Sequence, residues 1–380
     1  MRSKKFTKVL VLSICMVLVL LTAVGCSSTT SSADKPSIAS QAATTQLTKV
    51  VDGKRQFTDM MGKEVSIPAE VMKVYCTSPI GTYMVYTLAP AKLIGWNSKM
   101  TEDAMQYINA QYKDLPVLGG NMGGKNTYNT EYIISLKPDI ILSVGQQGQN
   151  VASIDKLSEQ TGIPVVNLDY SITATEQSYR LLGEILGDST RGNMLADYIK
   201  NSLDKTKSMV AKVPDNKKVK VYYAESADGL STDGADSMHT ELLSFVNATN
   251  VVTLETSASG MGTEVSMEQV LNWNPDVIIV NSMMGGDDFL KTVYNDSKWS
   301  SISAVKNKKI YKPASLPFNW FDRPPCVARV LGAEWLASTL YPDYVNVDLK
   351  SDVKDFYKTF YQVDITDEQA TALINGGGGK

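Results

Sequence analysis

The stretch Asn319-Trp320-Phe321-Asp322-Arg323-Pro324-Pro325 gathers the residues best equipped for chemistry in this 380-residue chain. Arg323 offers a planar fork of N–H donors that pairs with a carboxylate or another oxyanion. Trp320 and Phe321 offer flat apolar faces, and Asn319 adds a neutral donor and acceptor. The two prolines end the loop and restrict how it is presented. Together these residues suit a negatively charged solute with an aromatic or bulky part. Two plainer readings stand beside that one. Aromatic residues usually belong to a core, and Arg323 can form an internal pair with Asp322 or Glu334.

His239 is the only histidine. A bare transition-metal site built from several imidazoles is therefore excluded, and no metal site is read here. His239 opens a helical pattern, where it is either a single donor facing a ligand or a polar residue near a helix N-terminus. With one histidine and no nucleophile elbow, a Ser-His-Asp hydrolase lacks its parts. The chain reads as a binding protein, not an enzyme, and calls for no cofactor.

What must position these residues is visible as a repetition. Residues 129–141, NTEYIISLKPDII, and 266–278, SMEQVLNWNPDVI, are one phrase written twice. Each has a small cap (Asn129, Ser266), a glutamate two residues on (Glu131, Glu268), an apolar stretch, Pro-Asp and a β-branched run. The strands MKVYC and KVKVYY look like a second repeated element. Strand and helix patterns alternate, which argues for parallel sheets with helices on their faces. The fold class is α/β: two similar lobes with central sheets, residues 51–187 and 214–342, and a ligand cleft between them. One long helical pattern over 188–213 joins them, with Met194, Leu195, Tyr198, Ile199 and Leu203 on one stripe. A helical connector predicts a small closing motion. Residues 343–380 form a helical tail. Ligand-binding residues belong on loops after the strands' carboxyl ends. These are Ser78, Asn121 and Gln146 in the first lobe, and His239 with Asn319, Trp320, Phe321 and Arg323 in the second.

Residues 1–25 stand apart. Arg2, Lys4, Lys5 and Lys8 precede an apolar run from Val9 to Leu21, the layout of an export signal. The run is too short for a comfortable membrane span. It ends at Ala23-Val24-Gly25-Cys26, which resembles a bacterial lipobox, with Cys26 the lipidated residue. Residues 26–50 then read as a disordered Ser/Thr-rich tether. Without residues 1–25 the 37 basic residues fall to 33 against 40 acidic, a formal charge of −7. That balance argues against nucleic acid. Cys76 and Cys326 are the other cysteines of the mature chain, and nothing in the sequence says that they meet.

FTDMMGKEVSIP, the two Glu-x6-Pro-Asp phrases, AVKNKKIY and the 188–213 helix, in this order behind a lipobox, carry a resemblance. The chain resembles the substrate-binding lipoproteins of ABC importers, in the helix-linked class for iron–siderophore, haem and cobalamin. PFNWFDRPP resembles a subgroup of iron-complex binders, some relatives of which handle molybdate or tungstate. The resemblance implies a monomer, lipid-anchored outside the bacterial cell membrane. It would capture a metal chelate, foremost an iron chelate, and deliver it to a permease dimer with its ATPase. Oxyanion, cobalamin and haem remain as alternative ligands, and a tethered sensor or a hydrolase as remoter functions. It also implies that Glu131 and Glu268, one per lobe, dock onto the permease. The plainer reading is that both glutamates serve the N-termini of their helices.

Overall fold

The computed structural model of the protein describes residues 50–122, 125–145, 151–254 and 262–376. The expectations for residues 1–49, Cys26 among them, and for Gln146 fall outside those residues.

The chain enters through an antiparallel hairpin, β1 (Lys54–Thr58) and β2 (Glu64–Pro68). The first lobe continues with β3 (Val74–Cys76), α1 (Pro79–Leu88), α2 (Glu102–Met105), β4 (Asn121–Met122) and β5 (Lys125–Asn126). It is completed by α3 (Thr130–Leu136), β6 (Ile140–Gly145), α4 (Val151–Thr161), β7 (Val165–Asp169) and α5 (Thr175–Ile185). The long helix α6 (Ser189–Val210) follows. The second lobe begins with β8 (Lys220–Ala224), β9 (Ser231–Thr232), α7 (Glu241–Phe245), β10 (Thr249–Asn250) and β11 (Thr263–Glu264). Then come α8 (Met267–Trp273), β12 (Val277–Val280), α9 (Gly286–Thr292), α10 (Ser303–Lys306), β13 (Ile310–Tyr311) and α11 (Arg329–Leu340). The tail holds α12 (Leu349–Phe356), a π-helical turn at Tyr357–Tyr361, and α13 (Asp367–Ile374).

Each lobe has a parallel sheet, in the order β3-β6-β7 in the first and β10-β8-β12-β13 in the second. Val277–Val280 is buried throughout, as a β-branched run covered on both faces should be. The expected two-lobed α/β architecture with one long connecting helix is what the chain adopts.

The repeated phrase folds twice into the same device. Asn129 caps α3 by accepting from the Tyr132 N–H at 3.0 Å. Ser266 caps α8 in a reciprocal box with Gln269. Both helices end on a left-handed residue, Lys137 at φ 50° and Asn274 at φ 42°, immediately before the proline. The aspartate that follows then fastens the neighbouring strand. Asp139 Oδ2 accepts from the Met72 and Lys73 N–H groups at 2.7 and 2.8 Å. Asp276 Oδ2 accepts from the Lys220 N–H at 3.1 Å. Pro-Asp therefore sets where β6 joins β3 and where β12 joins β8.

At a rise of about 1.5 Å per residue, α6 runs some 33 Å. It packs along α5 of the first lobe and α11 of the second. The first crossing is glycine on glycine: a Cβ on Gly192 would lie 2.7 Å from the Gly183 Cα. The sequence reading passed over α5, although Tyr179, Leu182 and Ile185 lie on one helical stripe and are buried.

The tail closes over the joint. The Tyr86 hydroxyl of α1 donates to the Tyr361 carbonyl at 3.1 Å, and Arg191 of α6 donates to the Thr359 carbonyl at 3.0 Å. The Trp335 indole N–H of α11 donates to the Ile374 carbonyl at 3.1 Å. Phe356, Tyr357, Phe360 and Tyr361 are fully buried, each contributing roughly 1.5–3 kcal/mol of burial. The largest apolar cluster therefore spans both lobes, α6 and the tail.

Candidate functional site

The carboxyl ends of β3 and β8 gather Ser78 in one lobe and the partner of Arg323, Glu225, in the other. In the first lobe β3 leads into Ser78, the N-cap of α1. The Ser78 side chain makes no capping bond, and its hydroxyl is buried without a partner. The first turn of α1 holds no acidic residue. A helix start in that condition, with its positive dipole end uncompensated, receives anions. Asn121 is exposed on β4, and its N–H donates to the Thr77 carbonyl at 2.5 Å. Asn97, which the sequence reading did not single out, shapes this end. Its side-chain amide donates to the Cys76 and Gly119 carbonyls, both at 2.8 Å.

In the second lobe Arg323 sits among carboxylates. Its Nε donates to Glu225 Oε1 at 2.5 Å and its Nη2 to Asp233 Oδ2 at 2.8 Å, with Asp322 Oδ2 at 3.7 Å. Glu225 follows β8, and Asp233 follows β9, so sheet and loop supply the two partners. Arg323 has φ 58°, a backbone region that costs a non-glycine residue about 1 kcal/mol or more and persists only where its surroundings hold it. The internal pair expected with Asp322 is present at 3.7 Å, and Glu225 and Asp233 are closer partners that the sequence did not pair with it. Glu334 instead meets Lys205 at 3.1 Å. His239 Nδ1 lies 2.7 Å from Asp322 Oδ2. Burial, opposed by Arg323 and reinforced by Asp233, pushes the Glu225 carboxyl up to about 7.

The rest of the 319–325 loop is corrected. Trp320 has no exposed surface and Phe321 only 2 %. A Cβ on Gly332 of α11 would fall 1.8 Å from the Trp320 carbonyl oxygen, so the helix lies directly on this segment. Phe321 packs on Tyr223 with ring centroids 4.8 Å apart. Asn319 Oδ1 accepts from the Phe321 and Asp322 N–H groups at 2.7 and 3.1 Å. These three side chains build the loop and its core contact; they offer no aromatic face to a solute. The structure brings together Arg323, Asp322 and His239 with two carboxylates from distant segments.

A second ionic cluster spans the lobes. Arg329 donates to Glu241 Oε2 at 2.8 Å and to the Tyr170 carbonyl at 2.5 Å. Both Glu241 oxygens accept from the Ile172 N–H at 3.1 Å. Tyr170 and Ile172 belong to the first lobe, Glu241 and Arg329 to the second. The readable signal was an arginine inside the apolar α11 pattern, since a buried guanidinium requires partners. Ile80 of the first α1 turn and Cys326 and Val327 of the second lobe border one small cavity with Tyr170.

Glu131 and Glu268 are exposed in the first turns of α3 and α8, and among the described residues neither makes an ion pair. Exposed Tyr132 and Ile134 flank the first and Leu271 the second. Cys76 and Cys326 are free, buried thiols, each pushed up to about 12 by burial. Among the described residues no cluster of His, Cys, Asp and Glu is placed to hold a metal ion, and no helix is long and apolar enough to cross a membrane.

Comparison with known proteins agrees with the two-lobed fold. The family described as periplasmic binding protein matches residues 83–315. An ABC transporter solute-binding protein of Sulfurospirillum deleyianum is 33% identical, covers 82% of this chain and 97% of its own, and superposes with a TM-score of 0.76. The molybdate-binding protein MolA of Haemophilus influenzae is 26% identical, over 83% of this chain and 93% of its own length. An uncharacterized ABC transporter substrate-binding lipoprotein, YvrC of Bacillus subtilis, is also 26% identical, over 75% and 85%.

Proposed function

The chain belongs to the periplasmic binding protein family, and we propose that it captures a compact oxyanion of the molybdate or tungstate kind in its cleft. It is a substrate-binding protein of an ABC importer and not an enzyme. The observation that carries the ligand reading is the uncapped start of α1, with the buried Ser78 hydroxyl unpartnered and no acidic residue in the first turn. Arg323 supplies the cation on the opposing lobe, held in place by two carboxylates. Both bind anionic oxygen. An iron chelate, the first expectation from the sequence, draws less support. Trp320 and Phe321, which were to cover its organic part, lie in the core. Glu131 and Glu268 dock the loaded protein onto the permease, and lipidated Cys26 keeps it at the membrane surface.

The test is calorimetric titration with molybdate, tungstate and ferric citrate, with metal analysis of protein purified from its own host. Tight molybdate or tungstate binding that Ser78→Ala and Arg323→Ala each weaken at least tenfold supports the reading. Tight ferric citrate binding with no response to molybdate or tungstate overturns it.

A further inference from the structure

Resting on the oxyanion reading, we propose that Glu225 and Asp233 share one proton across their unpartnered oxygens, and that this proton makes Arg323 available to an anionic ligand. The geometry poses the problem. Glu225 and Asp233 are fully buried and Asp322 is 1% exposed, all gathered around one guanidinium. With all three ionised, the cluster carries more negative than positive charge, and a dianion arriving at Arg323 is repelled. Four oxygens there have no hydrogen-bond partner: both of Asp322, whose Oδ2 lies 2.7 Å from His239 Nδ1, and Glu225 Oε2 and Asp233 Oδ1, which have no such neighbour. Leaving buried carboxylate oxygens unsatisfied is costly. One proton held between Glu225 Oε2 and Asp233 Oδ1 satisfies both and removes one negative charge. The Asn281 side-chain amide donates to Glu225 Oε1 at 3.3 Å and leaves Oε2 without a donor.

Other groups face the pair among the described residues. Tyr222 and Tyr223 come from β8, Asp322 and Arg323 from the loop, and His239 reaches Asp322 from the turn before α7. Both tyrosines are raised by burial above their ordinary value and stay neutral. His239 pairs with Asp322 rather than with Glu225. The rise of Glu225 to about 7 puts the proton's loss within reach of ordinary external pH. Below that value the cluster is less negative and the anion binds. Above it, Glu225 and Asp233 both neutralise Arg323 and the anion is released.

Two measurements test this, and they separate it from the ligand reading. Infrared titration of the ligand-free protein should show a protonated-carboxyl band at pH 6 that fades on titration to pH 9 and is missing in Glu225→Gln. Molybdate affinity should fall roughly tenfold per pH unit above about 7, one proton's worth. Glu225→Gln should vary less than about twofold over the same range, while His239→Gln keeps the step. Asp233→Asn serves if Glu225→Gln fails to fold. A step retained in Glu225→Gln, or no such band in the wild type, overturns the proposal. A band that titrates as stated with no anion bound at any pH retires the oxyanion reading and leaves the shared proton standing.

Discussion

Replacing Glu241 by alanine should loosen the two lobes from each other. The side chain accepts from the Ile172 N–H with both oxygens and from Arg329 at 2.8 Å. Its loss leaves Arg329, 2% exposed, with the Tyr170 carbonyl as its remaining partner among these contacts, and frees the Ile172 N–H. Breaking a fully buried ion pair costs about 3–5 kcal/mol. Glu241 retains 21% side-chain exposure, so water can partly replace it, and the expected loss is about 2–3 kcal/mol. A folded body of some 320 residues unfolds with an entropy near 0.7 kcal/mol/K, so the melting temperature should drop by about 3–4 °C. Because both partners on the first lobe are backbone groups, the ligand-free radius of gyration from small-angle scattering should also rise. Glu241→Ala and Arg329→Ala should fall well short of additivity in a double-mutant cycle. A melting temperature within about 1 °C of wild type, or full additivity, refutes the clasp.

Three further outcomes are expected. Gly192→Ala should destabilise by about 1–3 kcal/mol despite the better helix former, because its Cβ meets the Gly183 backbone at 2.7 Å; chemical denaturation measures this, and unchanged stability would refute the close crossing. Glu131→Arg and Glu268→Arg should each impair uptake in vesicles while shifting ligand affinity by less than about threefold, under 1 kcal/mol; normal uptake by the double variant removes the docking role. Cys26→Ala should move the protein out of the membrane fraction, and unchanged partition into detergent removes the anchor.

The lobes were legible because each needs a buried, β-branched strand and a capped helix before it, and both leave marks in local sequence. The Pro-Asp phrase was visible twice, yet its purpose was not. The N–H groups that Asp139 and Asp276 hold lie 66 or 67 residues away in one case and 56 in the other. The site was less legible for the same reason. Arg323 stood out by type, but its partners Glu225 and Asp233 are 98 and 90 residues distant. Trp320 misled because an aromatic beside an arginine looks alike in a binding loop and in a core. Only the approach of Gly332 to its backbone decides between them. His239 and Ser78 were singled out from position alone, since strand ends and helix starts are local features.

The buried tail imposes an order in time. The Tyr86 hydroxyl waits for a carbonyl 275 residues later in the chain, and Tyr179 and Arg191 wait for Phe360 and Thr359. Without the tail, the aromatic face that Tyr86 and Tyr179 present to Tyr361 and Phe360 is open. A chain without residues 349–374 is therefore held short of its final stability, because those residues complete the core.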